Sequence, residues 1–392
     1  MKQTDSTNNN RSAAAIGESL LLSLYYVLAC AYIPLCTFLN IDMTAVSVLS
    51  LAICVLGVVV MAKAAGTFKA ILGYSVILGI FIFLGGSLLP VGLFSAFATA
   101  VCIFTHLQLK YKSPLLWALP IIPLIVTFAV TGSLIASVIS ISALPAAIAL
   151  ISAVKAEVGK VSAICRISFG ICLSVAATFL GIVYVLYGSI SFGLCRQAID
   201  TARAFSIELV NATAVQLEGM LGTSATILDS DTVAYAVGVV FNVLPAVIII
   251  IANIISYIVH SMFLSIRFAT LEDKKKAMPM LSFEMSLVSA VVFLLSLAVS
   301  FVFSTSSSEI YGTVALNIML ILIPGLILTA IAGIRMLTMR KGPSCFGTLV
   351  YIGAIFLIAT LSPIVIIAAS TFGAILIIIT NITRSKAQKD KT

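Results

Sequence analysis

The sequence predicts an all-α fold: a polytopic transmembrane helical bundle of about 10–12 spans with both termini cytoplasmic. Three observations carry this. Hydrophobic residues make up 61% of the chain and charged ones 9%, with a mean hydropathy of +1.22; a soluble domain is about half apolar and a quarter charged. The apolar residues come in runs of about 20, the length a helix needs to cross a bilayer about 30 Å thick. The runs also do not alternate. Stretches such as AVIIII and AILIIIT lack the apolar/polar alternation of barrel strands, and lipid admits no spanning structure other than a helix or a closed barrel.

Apolar runs and helix breakers place spans near 20–40, 45–62, 70–87, 89–108, 114–132, 134–153 and 166–187, then 233–266, 283–304, 313–338 and an apolar stretch over 345–382. The last stretch is too long for one helix. Leu361-Ser362-Pro363 near its middle predicts a hairpin of two spans, because proline ends a helix and forces the residue before it out of the helical region. The run from Leu20 to Leu39 is read as a retained first span, since no small-residue cleavage site follows a basic leader. The domain reading is a cytoplasmic tail over 1–19, a seven-span bundle over 20–187, an extracytoplasmic segment over 188–232, a five-span bundle over 233–383 and a basic cytoplasmic tail over 384–392.

Charge placement tests this map. With Lys2 and Arg11 on the cytoplasmic side, alternation brings Lys63 and Lys69, Lys110 and Lys112, Lys155, Lys160 and Arg166, Lys274-Lys275-Lys276, Arg335 with Arg340-Lys341, and the C-terminal tail to that same side. That is the positive-inside pattern. It accounts for the net charge of +8 without nucleic acid, and the partner it implies is the lipid bilayer. The segment 188–232 falls outside and holds two arginines against five acidic residues. Within it Ile199, Ala202, Phe205, Leu209 and Met220 recur at helical spacing, opposite Gln197, Asp200, Glu208, Asn211 and Glu218. This is an amphipathic helix, expected to lie along the outer membrane surface or to cap the bundle, and to pack on the protein's own outer face in preference to a partner.

Motifs exclude several chemistries. There is no GxxxxGK[ST], HExxH, GxSxG or CxxC in the sequence, so no phosphate-binding loop, zinc helix, nucleophile elbow or thiol pair is expected. The eight cysteines are scattered, mostly in apolar runs, where they act as small hydrophobes. The centre of every expected span lacks Asp, Glu, Lys and Arg. Ion-driven carriers place an ionisable group there, so this pattern weighs against ion coupling, as it does against an intramembrane enzyme. No metal or cofactor is expected.

The polar residues that do enter spans form the candidate site. In FNVLPAVIIIIANIISYIVH, a helical rotation of about 100° per residue returns Asn253 to within about 20° of Asn242, and His260 falls on nearly the same line. Ser256 and Tyr257 flank it and Pro245 interrupts it. In ALNIMLILIPGLIL, Asn317 precedes Pro324. Amides both donate and accept, so these residues form either a face for a neutral polar ligand or hydrogen-bonded glue between helices, with glue placed ahead.

The order of features in the C-terminal half carries a resemblance. NVLPAVIIIIANIISYIVH, a basic loop, a further span, ALNIMLILIPGLILTAIAGIRML and a closing apolar hairpin together resemble the YybS-like family of bacterial membrane proteins over residues 235–384. Gly373 is followed by AILIIITNITR where that family often has an acidic and aromatic cluster. The resemblance implies a multi-pass protein of a bacterial cell membrane. It also implies that the N-terminal spans are similar in fold to the substrate-binding subunits of energy-coupling factor transporters, which work with a separate ATPase module. Two functions are expected from these readings. One is a transport-type protein or substrate-binding subunit for a small solute. The other is a non-transporting scaffold for envelope, division or sporulation proteins.

Overall fold

A computed structural model describes residues 3–38, 43–65, 88–221, 230–267, 285–303, 309–338, 352–353 and 362–389. The expected span 70–87, the first half of the hairpin over 345–382 and the Lys274-Lys275-Lys276 loop lie outside the described residues. The helices are α1 (Gln3–Phe38), α2 (Met43–Ala65), α3 (Leu88–Tyr111), α4 (Ile121–Thr131), α5 (Leu134–Ser140), α6 (Ala143–Lys155), α7 (Lys160–Tyr187), α8 (Phe192–Leu221), α9 (Ser230–Arg267), α10 (Leu287–Phe303), α11 (Glu309–Thr338) and α12 (Pro363–Lys389). A 3-10 turn over Pro114–Ala118 precedes α4. Among the described residues nine helical segments are long and apolar enough to cross a membrane, and α10 is a shorter apolar helix. The chain is an integral membrane protein of the multi-pass kind. Leu180, Val185, Ile254, Leu295 and Ile379 stand exposed on helices in this way because lipid, not water, is the medium they face.

Local chemistry explains the breaks. The first apolar segment opens at Ile16 and not at residue 20, inside a helix that already runs from Gln3. The span expected over 134–153 is divided into α5 and α6 around Ile141 and Ser142. Pro145 has no N–H for the Ile141 carbonyl; Leu144 N–H takes that carbonyl instead, at 2.9 Å, in a tighter turn. Between α4 and α5, Gly132 adopts φ +63 and its N–H closes on Phe128 O at 2.8 Å, a left-handed cap that favours glycine. Ser133 then caps α5, its Oγ accepting from Ala136 N at 3.3 Å. The break expected at Leu361-Ser362-Pro363 is where α12 begins, with Pro363 as its first residue and Ile366 N–H donating to Ser362 O at 2.9 Å. Proline suits that position, where a helix has no use for the missing N–H.

The helices form two compact units. The first contains residues 1–199 and 251–279. Its central helix is α3, 72% of whose apolar window is buried; α1, α2 and α6 pack around it. Tyr26, Ile53, Phe104, Leu150, Ile167 and Phe263 fill the core. Close approach depends on small residues. A β-carbon on Gly92 would stand 2.7 Å from Ser50 Cβ, and one on Gly170 would stand 2.7 Å from the Pro145 carbonyl oxygen. The second unit contains residues 200–250 and 280–392. There α10, α11 and α12 pack together around Phe293, Met319, Leu326 and Ile377. Gly373 lies directly on the backbone of α11, where a β-carbon would overlap the Leu326 carbonyl. Helix α9 contributes to both units, because the division falls between Ile250 and Ile251.

Helix α8 forms as predicted, and the described part of its apolar stripe is exposed. Phe205 is 64% exposed and Leu209 56%, and Ile199 and Ala202 are exposed too. Its contact with α9 runs along a different flank. Ser206 and Val210 line a groove of about 350 Å³ with Thr232, Val233, Ala236 and Val240, and the Arg203 guanidinium lies against Gly238. This exposure suits the expected position along the membrane surface better than packing on the protein's own face: spacing identifies an apolar stripe, but in a membrane protein an apolar stripe need not face protein.

Candidate functional site

The predicted polar face is distributed over both units. Asn242, Pro245 and Asn317 belong to the second, and Asn253, Ser256, Tyr257 and His260 to the first.

In the second unit the residues come together around the proline in α9. Asn317 Oδ1 accepts from Ala246 N–H at 3.0 Å. Its Nδ2 donates to Asn242 O at 2.8 Å and to Thr313 O at 2.9 Å. In an unbroken helix the N–H of residue 246 would donate to the C=O of residue 242. The Asn317 carboxamide therefore stands astride one i→i−4 pair, meeting both members, immediately beside the residue that disturbs that turn. Pro245 has no N–H for the Phe241 carbonyl, and its ring crowds that turn, although the helix continues through it. Asn317 meets the adjacent pair, and both its Nδ2 protons and its Oδ1 are engaged with backbone. Asn242 contributes its carbonyl, and its side chain is exposed. Pro324 lies further along α11, where Thr329 Oγ1 donates to Gly325 O at 2.9 Å.

In the first unit, the predicted residues make few polar contacts. Asn253 is half-buried. Ser256 is buried and donates to Ala252 O of its own helix at 2.6 Å. Lys160 Nζ sits 5.0 Å from the centre of the Tyr257 ring, a cation–π contact. His260 is buried, and its Nδ1 has no hydrogen-bond partner among the described residues. Beside it Cys102 Sγ of α3 approaches Val259 O at 3.5 Å.

The structure also assembles polar groups that the pattern of spans concealed. Where the apolar part of α1 begins, that helix meets the end of α3, and Lys110 Nζ donates to Glu18 Oε1 at 2.7 Å. His106 Nε2 lies 4.0 Å from that same oxygen. Both helices are candidate spans, and Glu18 lies inside the Ile16–Cys36 segment, so this ion pair stands at the ends of two spans and not at their centres. Further along the α1–α3 seam, Tyr25 Oη donates to Ile53 O at 3.1 Å and pairs with Thr99 Oγ1 at 3.1 Å, while Tyr32 bonds to Ser50. A cavity of about 410 Å³ adjoins the ion pair in sequence, lined by Ser19, Tyr111, Ser113, Leu116, Leu119 and Ile122. The missed signal was the i, i+4 spacing of His106 and Lys110, which puts two bases on one helix face opposite an acid that stands just before an apolar run.

Among the described residues no three His, Cys, Asp or Glu side chains come together to hold a metal ion. Comparison with protein-family models, curated proteins and solved structures finds no match for the chain. What the chain does must therefore be argued from these sites alone.

Proposed function

We propose that this is a transport-type membrane protein, or the solute-binding membrane subunit of one, and that bending of α9 at Pro245 is its moving part. The observation that carries the proposal is the Asn317 bridge. Helices interrupted by proline or glycine recur in transporters at the places that bind; α9 stays helical through Pro245, and Asn317 supplies a second set of partners to the turn beside it. Here the satisfying group is one side chain from another helix, which can engage or release the turn without unfolding it. The reading retains the expected setting, a bacterial cell membrane with a separate ATPase module as partner, for which the YybS-like resemblance is the motive.

A second reading is favoured by a separate observation. The uncovered apolar stripe of α8 at Phe205 and Leu209 suits a scaffold that docks envelope proteins. Native mass spectrometry of the complex drawn from its own membranes separates the two. A stoichiometric small molecule or an ATPase module supports the transport reading. Envelope or division proteins with no small molecule would overturn it in favour of the scaffold.

A further inference from the structure

We propose that Glu18, His106 and Lys110 form a proton-binding site in which one carboxylate exchanges between two bases. The site does not depend on the transport reading, since a proton binds there whether or not a solute moves.

The geometry carries the proposal. One oxygen, Glu18 Oε1, has the Lys110 ammonium at 2.7 Å and the His106 ring nitrogen Nε2 at 4.0 Å. The first is a charge-assisted hydrogen bond; the second is too long to be one. Nε2 is buried and has no hydrogen-bond partner among the described residues, an arrangement that leaves a buried polar atom unsatisfied. A proton arriving on Nε2 changes both facts. It creates an N–H donor and a positive charge opposite a carboxylate that needs to approach by only about 1 Å to accept it. No other bond changes: the proton comes from the aqueous side, the imidazole becomes imidazolium, and Glu18 remains a carboxylate. In the unprotonated state Glu18 is held by Lys110. In the protonated state it is shared with His106 and the hold on Lys110 weakens. Because Glu18 is on α1 and both bases are on α3, the exchange acts across the seam between two packed helices.

Of the surrounding elements, α1 carries Glu18, the tyrosines Tyr25, Tyr26 and Tyr32 and the cysteines Cys30 and Cys36, with Asp5 and Arg11 earlier in the helix sequence, and Ser19, whose Oγ returns to Ile16 O at 2.9 Å. On α3 there is Lys110, with the Tyr111 ring 5.5 Å from its Nζ. Helix α2 carries Lys63 and α6 carries Lys155, each in a last turn and exposed. Helices α4 and α5 carry no ionisable side chain, and the part of α9 in this unit carries Tyr257, His260 and Arg267. Of these, Glu18 has its oxygen 4.0 Å from the His106 ring nitrogen, and Lys110 stands one helical turn along the same face.

The chain has two histidines, His106 and His260, which makes the test direct. The full-length protein, labelled with ¹⁵N in the histidine ring and held in lipid nanodiscs, gives two imidazole signals, and His260→Gln assigns the one that remains. The expected result is a reversible titration of His106 in the folded protein. Glu18→Gln lowers its midpoint by about one pH unit or more, the size of effect of a neighbouring opposite charge. Lys110→Met raises the midpoint, and Lys110→Arg leaves it near the wild-type value. A merely structural ion pair would change stability without moving the midpoint in opposite directions. The proposal is overturned if the His106 signal does not titrate between about pH 4 and pH 9, a window centred on the usual histidine range, or if its midpoint is the same in the wild type and Lys110→Met. The lysine variant decides the matter alone should Glu18→Gln fail to fold.

Discussion

Replacing Asn317 by leucine tests the bridge over Pro245 quantitatively. The substitution keeps the side chain's approximate volume and removes the bonds to Ala246 N–H and Asn242 O. If those two backbone groups then simply paired with each other, the loss would be that of two interhelical bonds, about 0.6 kcal/mol each on average in membranes. If the proline keeps the turn from closing, each is left unpaired at about 1–3 kcal/mol. The proline stands between the two groups, so a total loss of about 2–4 kcal/mol is expected. In a Pro245→Ala background the turn can close by itself, and the same Asn317→Leu change should cost only about 1.2 kcal/mol. Reversible unfolding in mixed micelles, run as a double-mutant cycle, measures the difference directly. A loss below about 0.5 kcal/mol, or an equal loss in both backgrounds, would refute the reasoning.

Other expectations follow from the same geometry. Asn253→Leu removes no hydrogen bond among the described residues and should change stability by less than about 0.5 kcal/mol in the same unfolding assay. Gly373→Ala drives a β-carbon into the Leu326 carbonyl and to 3.4 Å from Ala330 N, backbone that cannot step aside, and should cost about 1–3 kcal/mol. Gly181→Ala meets nothing within 4 Å and should be neutral or stabilising by up to about 1 kcal/mol; comparing thermal midpoints of the two glycine variants checks both. Spin labels at Phe205 and Leu209 should be open to oxygen and shielded from a water-soluble nickel complex if lipid covers the exposed stripe of α8, whereas a label at Glu208 should show the reverse.

Much of the fold was legible because lipid imposes a length and a composition on each span. The breakers were equally informative: Pro363 begins α12 where the sequence placed a turn, since proline's constraint is local. The polar site was less legible, for a geometric reason. Aligning Asn242, Asn253 and His260 on one helix face is a property of that helix alone, whereas a site depends on which neighbours meet it. Asn242 contributes a backbone atom and not its amide. Asn317, which the spacing did identify, acts on a turn 71 residues away in sequence. Glu18 was hidden for a related reason, because hydropathy assigned it to a polar tail although its helix places it beside α3. The spacing identified the apolar stripe of α8 but not its direction, since hydrophobicity cannot distinguish a lipid-facing surface from a protein-facing one.

The account rests on α9 being able to bend at Pro245 under the control of Asn317. Electron–electron double resonance between spin labels at Val239 and Ile254, exposed positions on either side of the proline and about 22 Å apart along the helix, measures that bend within one element. The account predicts two distance populations in the wild type, a shift of their ratio in Asn317→Leu and a single population in Pro245→Ala. One narrow distance, common to all three proteins, would contradict it.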